Sequence, residues 1–107
     1  MSSASRSRGK RGESEARDLL TERDWTILAN TADGTEVEDI IASSPEGTVY
    51  SIEVKNTKQI DITAILKQAR SNAAKKKLPW LAMCKISQSR AWIVWCKGEQ
   101  PKMWIKS

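Results

Sequence analysis

The sequence contains no histidine and no phenylalanine among its 107 residues. The absence of histidine excludes Ser-His-Asp and Cys-His catalytic sites, histidine zinc sites and histidine-based nuclease motifs within this chain. Any catalysis must therefore use carboxylates, lysine, hydroxyl groups or a metal ion. The absence of phenylalanine leaves five tryptophans and one tyrosine to supply the aromatic packing.

Cysteine and long apolar segments are also scarce. The two cysteines, Cys84 and Cys96, each lie within an apolar run, so we expect reduced core residues. No run of about 18 apolar residues is present, which predicts no membrane span. The basic N-terminus is not followed by the apolar segment of a secretory signal. These features predict a cytoplasmic protein (in the host cytoplasm if it is viral) with no membrane partner.

The net charge of +5 is unevenly distributed along the chain. Residues 1–11 carry only basic charge, residues 33–53 only acidic charge, and residues 67–77 only basic charge. An acidic segment within a basic protein suits a metal site beside a surface that binds a polyanion. The alternative is a solvated acidic loop and a solvated basic helix face, which is the commoner origin of charge runs.

The length of the chain predicts one domain with a modest core. Residues 1–9 are small, polar and basic, and we expect them to form a disordered tail. Residues 10–107 would then form the folded domain.

Periodicity and turn residues predict two helices and five or six strands. The first helix runs from about Lys10 to Arg23, and the second runs from about Ile62 to Lys77 with Asp61 as its N-cap. The strands are expected at residues 25–29, 37–42, 48–55, 80–86, 91–96 and 102–106. This order predicts a mixed sheet of about five strands flanked by helices, in the α/β or α+β class.

A hairpin between the second and third strands carries the most informative residues. Alternation in the third strand puts Glu53 and Lys55 on the face opposite Ile52. A turn at residues 43–47 places Asp39 opposite residue 52 or 53 of the next strand. Asp39 and Glu53 are therefore predicted to be neighbours.

Two carboxylates beside an amine form a minimal arrangement for metal-assisted cleavage of a phosphodiester. Asp39 and Glu53 would hold a divalent cation through oxygen ligands, and the cation would activate water and screen the phosphate. Lys55 would orient the water or stabilise developing charge. The alternative is a pair of polar groups at a strand end, with a salt bridge between Lys55 and Asp39.

The order of these motifs resembles the PD-(D/E)xK nuclease superfamily and, within it, the archaeal-type Holliday junction resolvases. The matching segments are Arg11-Gly12-Glu13, Trp25-Thr26-Ile27-Leu28, Asp39-Ile40-Ile41-Ala42, Ile52-Glu53-Val54-Lys55, Lys67-Gln68-Ala69 and Leu81-Ala82-Met83-Cys84-Lys85. Two departures are Glu38, which stands where the motif has proline, and a chain shorter than typical resolvases.

The resemblance implies a restriction-endonuclease-like fold and a homodimer that cuts branched DNA in recombination or repair. The implied cofactor is Mg²⁺, with Mn²⁺ as a substitute and no small-molecule cofactor. Glu13 would be a helix-borne acid near the metal, and Gln68 would contact the scissile region or orient Lys55. The alternatives are an ordinary acid in the first turn of a helix and a solvent-facing glutamine.

Two other functions remain open. One is a nuclease of the same fold that acts on flaps, single strands or a specific site. The other is a catalytically silent nucleic-acid-binding module. A protein that only binds nucleic acid has no reason to keep acids beside a phosphate, which favours the nuclease.

The predicted DNA contacts are basic residues of the tail, of the loop after the third strand and of the second helix. They are Arg6, Arg8, Lys10, Arg11, Lys58, Lys75, Lys76 and Lys77. Each is expected to act mainly through general electrostatic attraction. Thr31 and Thr35 lie in the loop where related resolvases often carry a hydroxyl residue.

The tryptophans are expected to pack in the core or at a subunit interface, with stacking on bases as the alternative. This applies to Trp80, Trp92, Trp95 and Trp104. The apolar strand at residues 91–96 offers a dimer interface, because one of its faces enters the core and the other is left exposed.

Overall fold

The computed structural model has two helices on opposite faces of a six-stranded mixed sheet. It describes the backbone of residues 3–30 and 39–106, and the side chains of residues 11–29 and 40–106. The elements in chain order are α1 (Ser3–Glu22), β1 (Thr26–Asn30), β2 (Asp39–Ser43), β3 (Val49–Thr57), α2 (Ile62–Lys76), β4 (Trp80–Ile86), β5 (Ala91–Cys96) and β6 (Lys102–Ile105). The predicted mixed α+β class is confirmed, and the described residues form six strands, within the predicted range of five or six.

The strands lie in the sheet in the order in which they occur in the chain. β3 and β4 are parallel, and the other neighbouring pairs are antiparallel. Parallel neighbours need a crossover connection, which α2 supplies. α2 therefore runs antiparallel to β3, and later residues of α2 lie beside earlier residues of β3.

The first helix begins at Ser3, so its predicted start near Lys10 is wrong. Residues 3–9 contain no proline, and a helix that has already nucleated gains one hydrogen bond for each residue that it adds. Gly9 disfavours the helix by ~1 kcal/mol relative to alanine, which weakens the helix without ending it. The division into a tail of residues 1–9 and a domain of residues 10–107 stays a prediction.

The larger core lies between α1 and one face of the sheet. Ala16, Leu19 and Leu20 form the buried face of α1, as the helical periodicity predicted. They belong to one cluster with Ile52 of β3 and Trp92 of β5. This cluster fixes α1 across the middle of the sheet.

A smaller core lies between α2 and the opposite face of the sheet. Ile65, Ala69 and Ala73 are buried at helical spacing, and they pack with Trp80 and Cys84 of β4. The predicted N-cap of this helix is confirmed, because the Asp61 side chain accepts a hydrogen bond from the Ala64 N–H at 3.1 Å.

The tryptophans pack within the protein, as expected. Trp92 is fully buried in the larger core and Trp80 is buried in the smaller one. Trp95 is half-buried against the smaller core, which confirms that Trp92 and Trp95 lie on opposite faces of β5. Trp104 is half-buried, with the Arg23 guanidinium 4.6 Å from the centroid of its ring.

The turn between β2 and β3 sets which residues of the two strands are paired. The Ser44 N–H donates to the carbonyl of Thr48 at 2.8 Å, and the Gly47 N–H donates to the carbonyl of Ser44 at 2.9 Å. Gly47 has a φ of +94°, a conformation that favours glycine. The resulting register pairs Asp39 with Glu53, which confirms that their backbones are neighbours.

Two further predictions concern the environment of the protein. Cys84 and Cys96 are both free; Cys84 is buried, as expected, whereas Cys96 is only half-buried. No helix in the described part of the chain is long and apolar enough to cross a membrane. The cytoplasmic location stays a prediction.

A close approach joins the first helix to the third strand. A Cβ atom built on Gly12 would lie 2.5 Å from the Cβ of Asn56. Side-chain carbon atoms do not approach one another so closely, so only glycine allows α1 to lie at this distance from β3.

Gly12→Ala should therefore destabilise the protein, although alanine is the better helix former. Helix propensity alone predicts stabilisation by ~1 kcal/mol, whereas forcing a methyl group into a packed contact costs about 1–3 kcal/mol. We expect a net loss of about 1 kcal/mol in the free energy of unfolding, measured by urea denaturation. Ser14→Ala, at an exposed position of the same helix, is the control. A Gly12→Ala protein more stable than the wild type would contradict the close approach.

Candidate functional site

Glu53 projects toward α2, away from the larger core. Its neighbour Ile52 is fully buried against α1, and successive residues of a strand point to opposite faces. Only 3% of Glu53 is exposed. A buried carboxylate is costly unless it is paired and hydrogen-bonded, so the partners of Glu53 define this site.

The two carboxylate oxygens of Glu53 face different partners. Nδ2 of Asn72, on α2, donates a hydrogen bond to Oε2 at 3.0 Å. Nζ of Lys55 lies 3.7 Å from Oε1, which is an ion-pair distance too long for a hydrogen bond. Lys55 is about one-third exposed, so its ammonium group is accessible from solvent while it contacts a buried acid.

The backbone of Asp39 is paired directly with Glu53. The side chain of Asp39 lies outside the described residues, and so do Thr31 and Thr35. The metal role of Asp39 and its alternative, a salt bridge with Lys55, therefore both stay predictions.

Helix α2 presents two amide side chains along β3. Gln68 is half-buried and lies one turn before Asn72. Four residues of a helix rise ~6 Å, and two residues of a strand span ~6.6 Å. Because α2 and β3 are antiparallel, ideal geometry predicts that Gln68 lies near the level of Lys55 when Asn72 bonds Glu53.

Asn72 was missed by the sequence interpretation, although a signal for it exists. It follows Gln68 by four residues, and it lies between Ala69 and Ala73 of the buried stripe. A polar residue on the flank of a buried helical stripe lies close to the sheet that the stripe covers. The position of Asn72 relative to Gln68 therefore pointed toward β3.

Glu13 lies on α1, the helix that covers the other face of the sheet. It is 4% exposed, and its Oε1 accepts a hydrogen bond from Nη1 of Arg17 at 2.7 Å. Its buried Oε2 has no hydrogen-bond partner among the described residues. The predicted role of Glu13 near a metal stays a prediction. Its alternative, an acid in the first turn of a helix, is wrong, because α1 begins at Ser3 and has no acid in its first turn. The pairing of Glu13 with Arg17 was not foreseen.

A second polar contact, also not foreseen, joins α1 to β4. Nζ of Lys85 donates hydrogen bonds to Oε2 of Glu15 at 2.5 Å and to the carbonyl of Ser89 at 3.0 Å. The same ammonium lies 5.5 Å from the centroid of the Trp92 ring. Lys85 is 5% exposed. Its place in the apolar run of β4 was the available signal, because a lysine in such a run must find a partner.

Strand β4 places a small residue and a thiol beside the site. The register pairs Glu53 with Ala82 and Lys55 with Cys84. Burial raises the pKa of the Cys84 thiol to about 11, so this thiol is protonated near neutral pH. A protonated thiol is a poor nucleophile and a poor metal ligand, which leaves the chemistry of this site to oxygen and amine groups.

The two acids of the β2–β3 hairpin are of the chemical type that binds hard divalent cations. Among the described side chains, no group of three histidine, cysteine, aspartate or glutamate residues is arranged to hold a metal ion. Glu53 supplies carboxylate oxygens, and Asp39, paired with it in register, is the second acid of the set. Carboxylate oxygens without imidazole or thiolate suit Mg²⁺ and Mn²⁺, so a site here depends on Asp39.

The basic residues predicted to contact DNA lie on three elements. Lys58 directly follows β3 and is exposed, and Arg11 is exposed on α1. Lys75 and Lys76 end α2, and Lys77 caps it in the left-handed conformation with a φ of 57°. Lys75 and Lys77 are exposed, whereas Lys76 is half-buried. The side chains that lie outside the described residues are those of Arg6, Arg8 and Lys10.

No protein-family model, no curated protein and no solved structure matches this chain. An interpretation of the site therefore depends on its own residues and geometry.

Both cysteines should react slowly with alkylating reagents near neutral pH. Burial raises the pKa of both thiols from 9.0 to about 11, and a hydrogen bond from Cys96 Sγ to Glu99 adds to the effect at Cys96. This rise lowers the thiolate fraction by about 100-fold. We expect iodoacetamide to label native Cys96 ~100-fold more slowly than a free cysteine peptide at about pH 7.5, with a rate that rises with pH.

The protein unfolded in urea is the control for this labelling, and it should react at the rate of the free peptide. Mass spectrometry of the modified peptide measures the labelling rate. Fast labelling of native Cys96 would contradict the raised pKa.

Proposed function

We propose that this protein is a Mg²⁺-dependent DNA endonuclease of the PD-(D/E)xK type, with its site on β2 and β3. The observation that carries the proposal is the direct pairing of Asp39 with Glu53, an acid that is 3% exposed and lies 3.7 Å from Lys55. Directly opposite residues of an antiparallel pair have Cβ atoms about 4.5–5.5 Å apart. Two acids at that spacing repel each other unless a cation lies between them.

The element order supports a restriction-endonuclease-like fold. One helix, three antiparallel strands, a crossover helix and a parallel strand follow one another from α1 to β4. The proposed acids lie on the second and third of these strands, and the lysine follows the second acid by two residues. This is the arrangement that the motif resemblance implies.

The residues of the site have separate roles in hydrolysis. Asp39 and Glu53 would hold a divalent cation, which would supply Lewis-acid activation of water and screen the phosphate charge. Lys55 donates a hydrogen bond that orients the attacking water and stabilises negative charge on the phosphate oxygens. Gln68 would orient the ammonium group of Lys55 or contact the scissile region.

The exposed basic residues supply affinity for the DNA backbone. Lys58 lies just beyond the end of β3, and Lys75 and Lys77 lie at the end of α2. Each phosphate neutralised releases counterions, so the affinity falls as the salt concentration rises. These residues position the backbone and carry no sequence preference.

Glu53→Gln should abolish cleavage while the fold is retained. Glutamine keeps the shape of the side chain and an oxygen that accepts the Asn72 hydrogen bond, but it removes the negative charge that holds the cation. We expect cleavage to fall by at least about 100-fold, and the same for Asp39→Asn. The assay follows four-way, flap, duplex and single-stranded DNA of matched sequence in Mg²⁺, Mn²⁺, Ca²⁺ or EDTA.

Glu46→Gln is the matched control, because Glu46 is an exposed acid in the turn between β2 and β3. The wild type and this control should cut in Mg²⁺ and Mn²⁺ but not in Ca²⁺ or EDTA, with four-way DNA as the preferred substrate. Cleavage in excess EDTA, or near wild-type turnover by Glu53→Gln, would contradict the proposed mechanism.

An apolar surface beyond the edge of α2 supports the proposed homodimer. Met103 and Ile105 of β6 are 64% and 56% exposed. Their register partners are Ile93 and Ala91 of β5, and Ile93 lies on the α2 side of the sheet. Directly paired residues share a face, so this surface lies on the α2 side, where α2 itself covers β3 and β4. A second copy of the chain would bury this surface.

Ile105→Glu should convert the dimer into a monomer without unfolding the protein, because it places a charge on an exposed position that only the partner would bury. The measurement is light scattering at micromolar protein, with and without four-way DNA. Leu28→Glu is the matched control, since Leu28 is 54% exposed on the opposite edge strand. If the wild-type protein is monomeric both alone and on DNA, the proposed homodimer is contradicted and a flap or single-strand nuclease is favoured.

A further inference from the structure

We propose that Asn72 is a positioning residue that orients the carboxylate of Glu53 for the cation, an inference that rests on the proposed function. The hydrogen bond from Nδ2 of Asn72 to Oε2 of Glu53, at 3.0 Å, joins α2 to β3 at the centre of the site. Asn72 does not contact the reacting atoms in this assignment and acts through Glu53.

The chemistry of the two groups fixes the direction of this bond. An ionised carboxylate only accepts hydrogen bonds, whereas an amide both donates and accepts. The amide of Asn72 must therefore turn its NH₂ group toward Glu53. A donor held there by a helix fixes the position of Oε2 of Glu53.

The bond also separates the tasks of the two oxygens of Glu53. Oε2 is engaged by Asn72, and Oε1 is on the side of Lys55 at 3.7 Å. A glutamate side chain has three rotatable bonds, and the hydrogen bond from Asn72 restricts the directions that the carboxylate can take. With this bond in place, Oε1 lies on the side of Lys55 and is the oxygen that would bind the cation.

The surroundings of the bond give it rigidity. Asn72 lies between Ala69 and Ala73, which are both buried against the sheet, and Ala82 is the register partner of Glu53 on β4. The two helix alanines hold the backbone on either side of Asn72 close to the sheet. The amide is thus placed by the packing of α2 rather than by a flexible loop.

A purely structural role for Asn72 makes a different prediction. If the amide only compensates a buried carboxylate, its loss lowers the free energy of unfolding and leaves the affinity for metal unchanged. If the amide positions the carboxylate, its loss weakens metal binding even in protein that is fully folded.

The test measures Mn²⁺ binding to the full chain by electron paramagnetic resonance, together with urea denaturation and DNA cleavage. Asn72→Leu keeps the branching and the number of side-chain heavy atoms and removes the donor, and it should raise the Kd for Mn²⁺ by ~10–100-fold. The Mg²⁺ concentration for half-maximal cleavage should rise by a similar factor. Asn72→Gln keeps an amide donor on a longer side chain and should restore part of the affinity. Ser71→Ala, at the exposed neighbouring position, should match the wild type.

The possible results distinguish a failure of the positioning role from a failure of the proposed function. Wild-type protein that binds Mn²⁺ and cuts DNA, with Asn72→Leu binding Mn²⁺ equally well, overturns the positioning role alone. Wild-type protein that neither binds Mn²⁺ nor cuts any substrate overturns the proposed function, and the positioning role falls with it. Weaker binding in Asn72→Leu with partial recovery in Asn72→Gln supports both.

Discussion

Burying a carboxylate costs several kcal/mol unless hydrogen bonds and positive charge compensate for the lost hydration. Glu53 is such a buried carboxylate, and two neighbouring residues compensate for its lost hydration. Asn72 donates a hydrogen bond from α2, and Lys55 contributes positive charge from the same strand. Such an arrangement is more than strand pairing requires, since an apolar residue at position 53 would pack against α2 without any partner. The buried acid is therefore the feature that calls for a functional explanation.

The two faces of the sheet have different roles. α1 and the larger core hold the sheet together, and the ion pair between Lys85 and Glu15 fixes the helix over β4. α2 and the smaller core lie on the face where Glu53 and Lys55 project. Because α2 is the crossover between two parallel strands, its position over β3 follows from the topology. The amide of Asn72 thus reaches the acid without a specialised loop.

Much of this architecture was predictable, because local patterns determine it. Alternation in β3 and the turn at Gly47 fix the register of the hairpin, and the periodic alanines of α2 identify its buried side. Contacts between distant elements were harder to predict from the sequence. The bonds from Asn72 to Glu53 and from Lys85 to Glu15 join residues far apart in sequence, and no local pattern specifies such a pair. The predicted start of α1 was also wrong, because a helix that extends into a polar segment leaves no periodic pattern of apolar residues in the sequence.

The position of a bound Mn²⁺ ion tests the central claim most directly. Crystals grown with Mn²⁺ give an anomalous signal that locates the metal without assumptions about activity. The account predicts one strong peak with carboxylate oxygens of both Glu53 and Asp39 within about 2.2 Å, the ordinary range for such ligands. A peak elsewhere, or no peak at millimolar Mn²⁺ with both acids ordered, would contradict the assignment of this hairpin as a metal site.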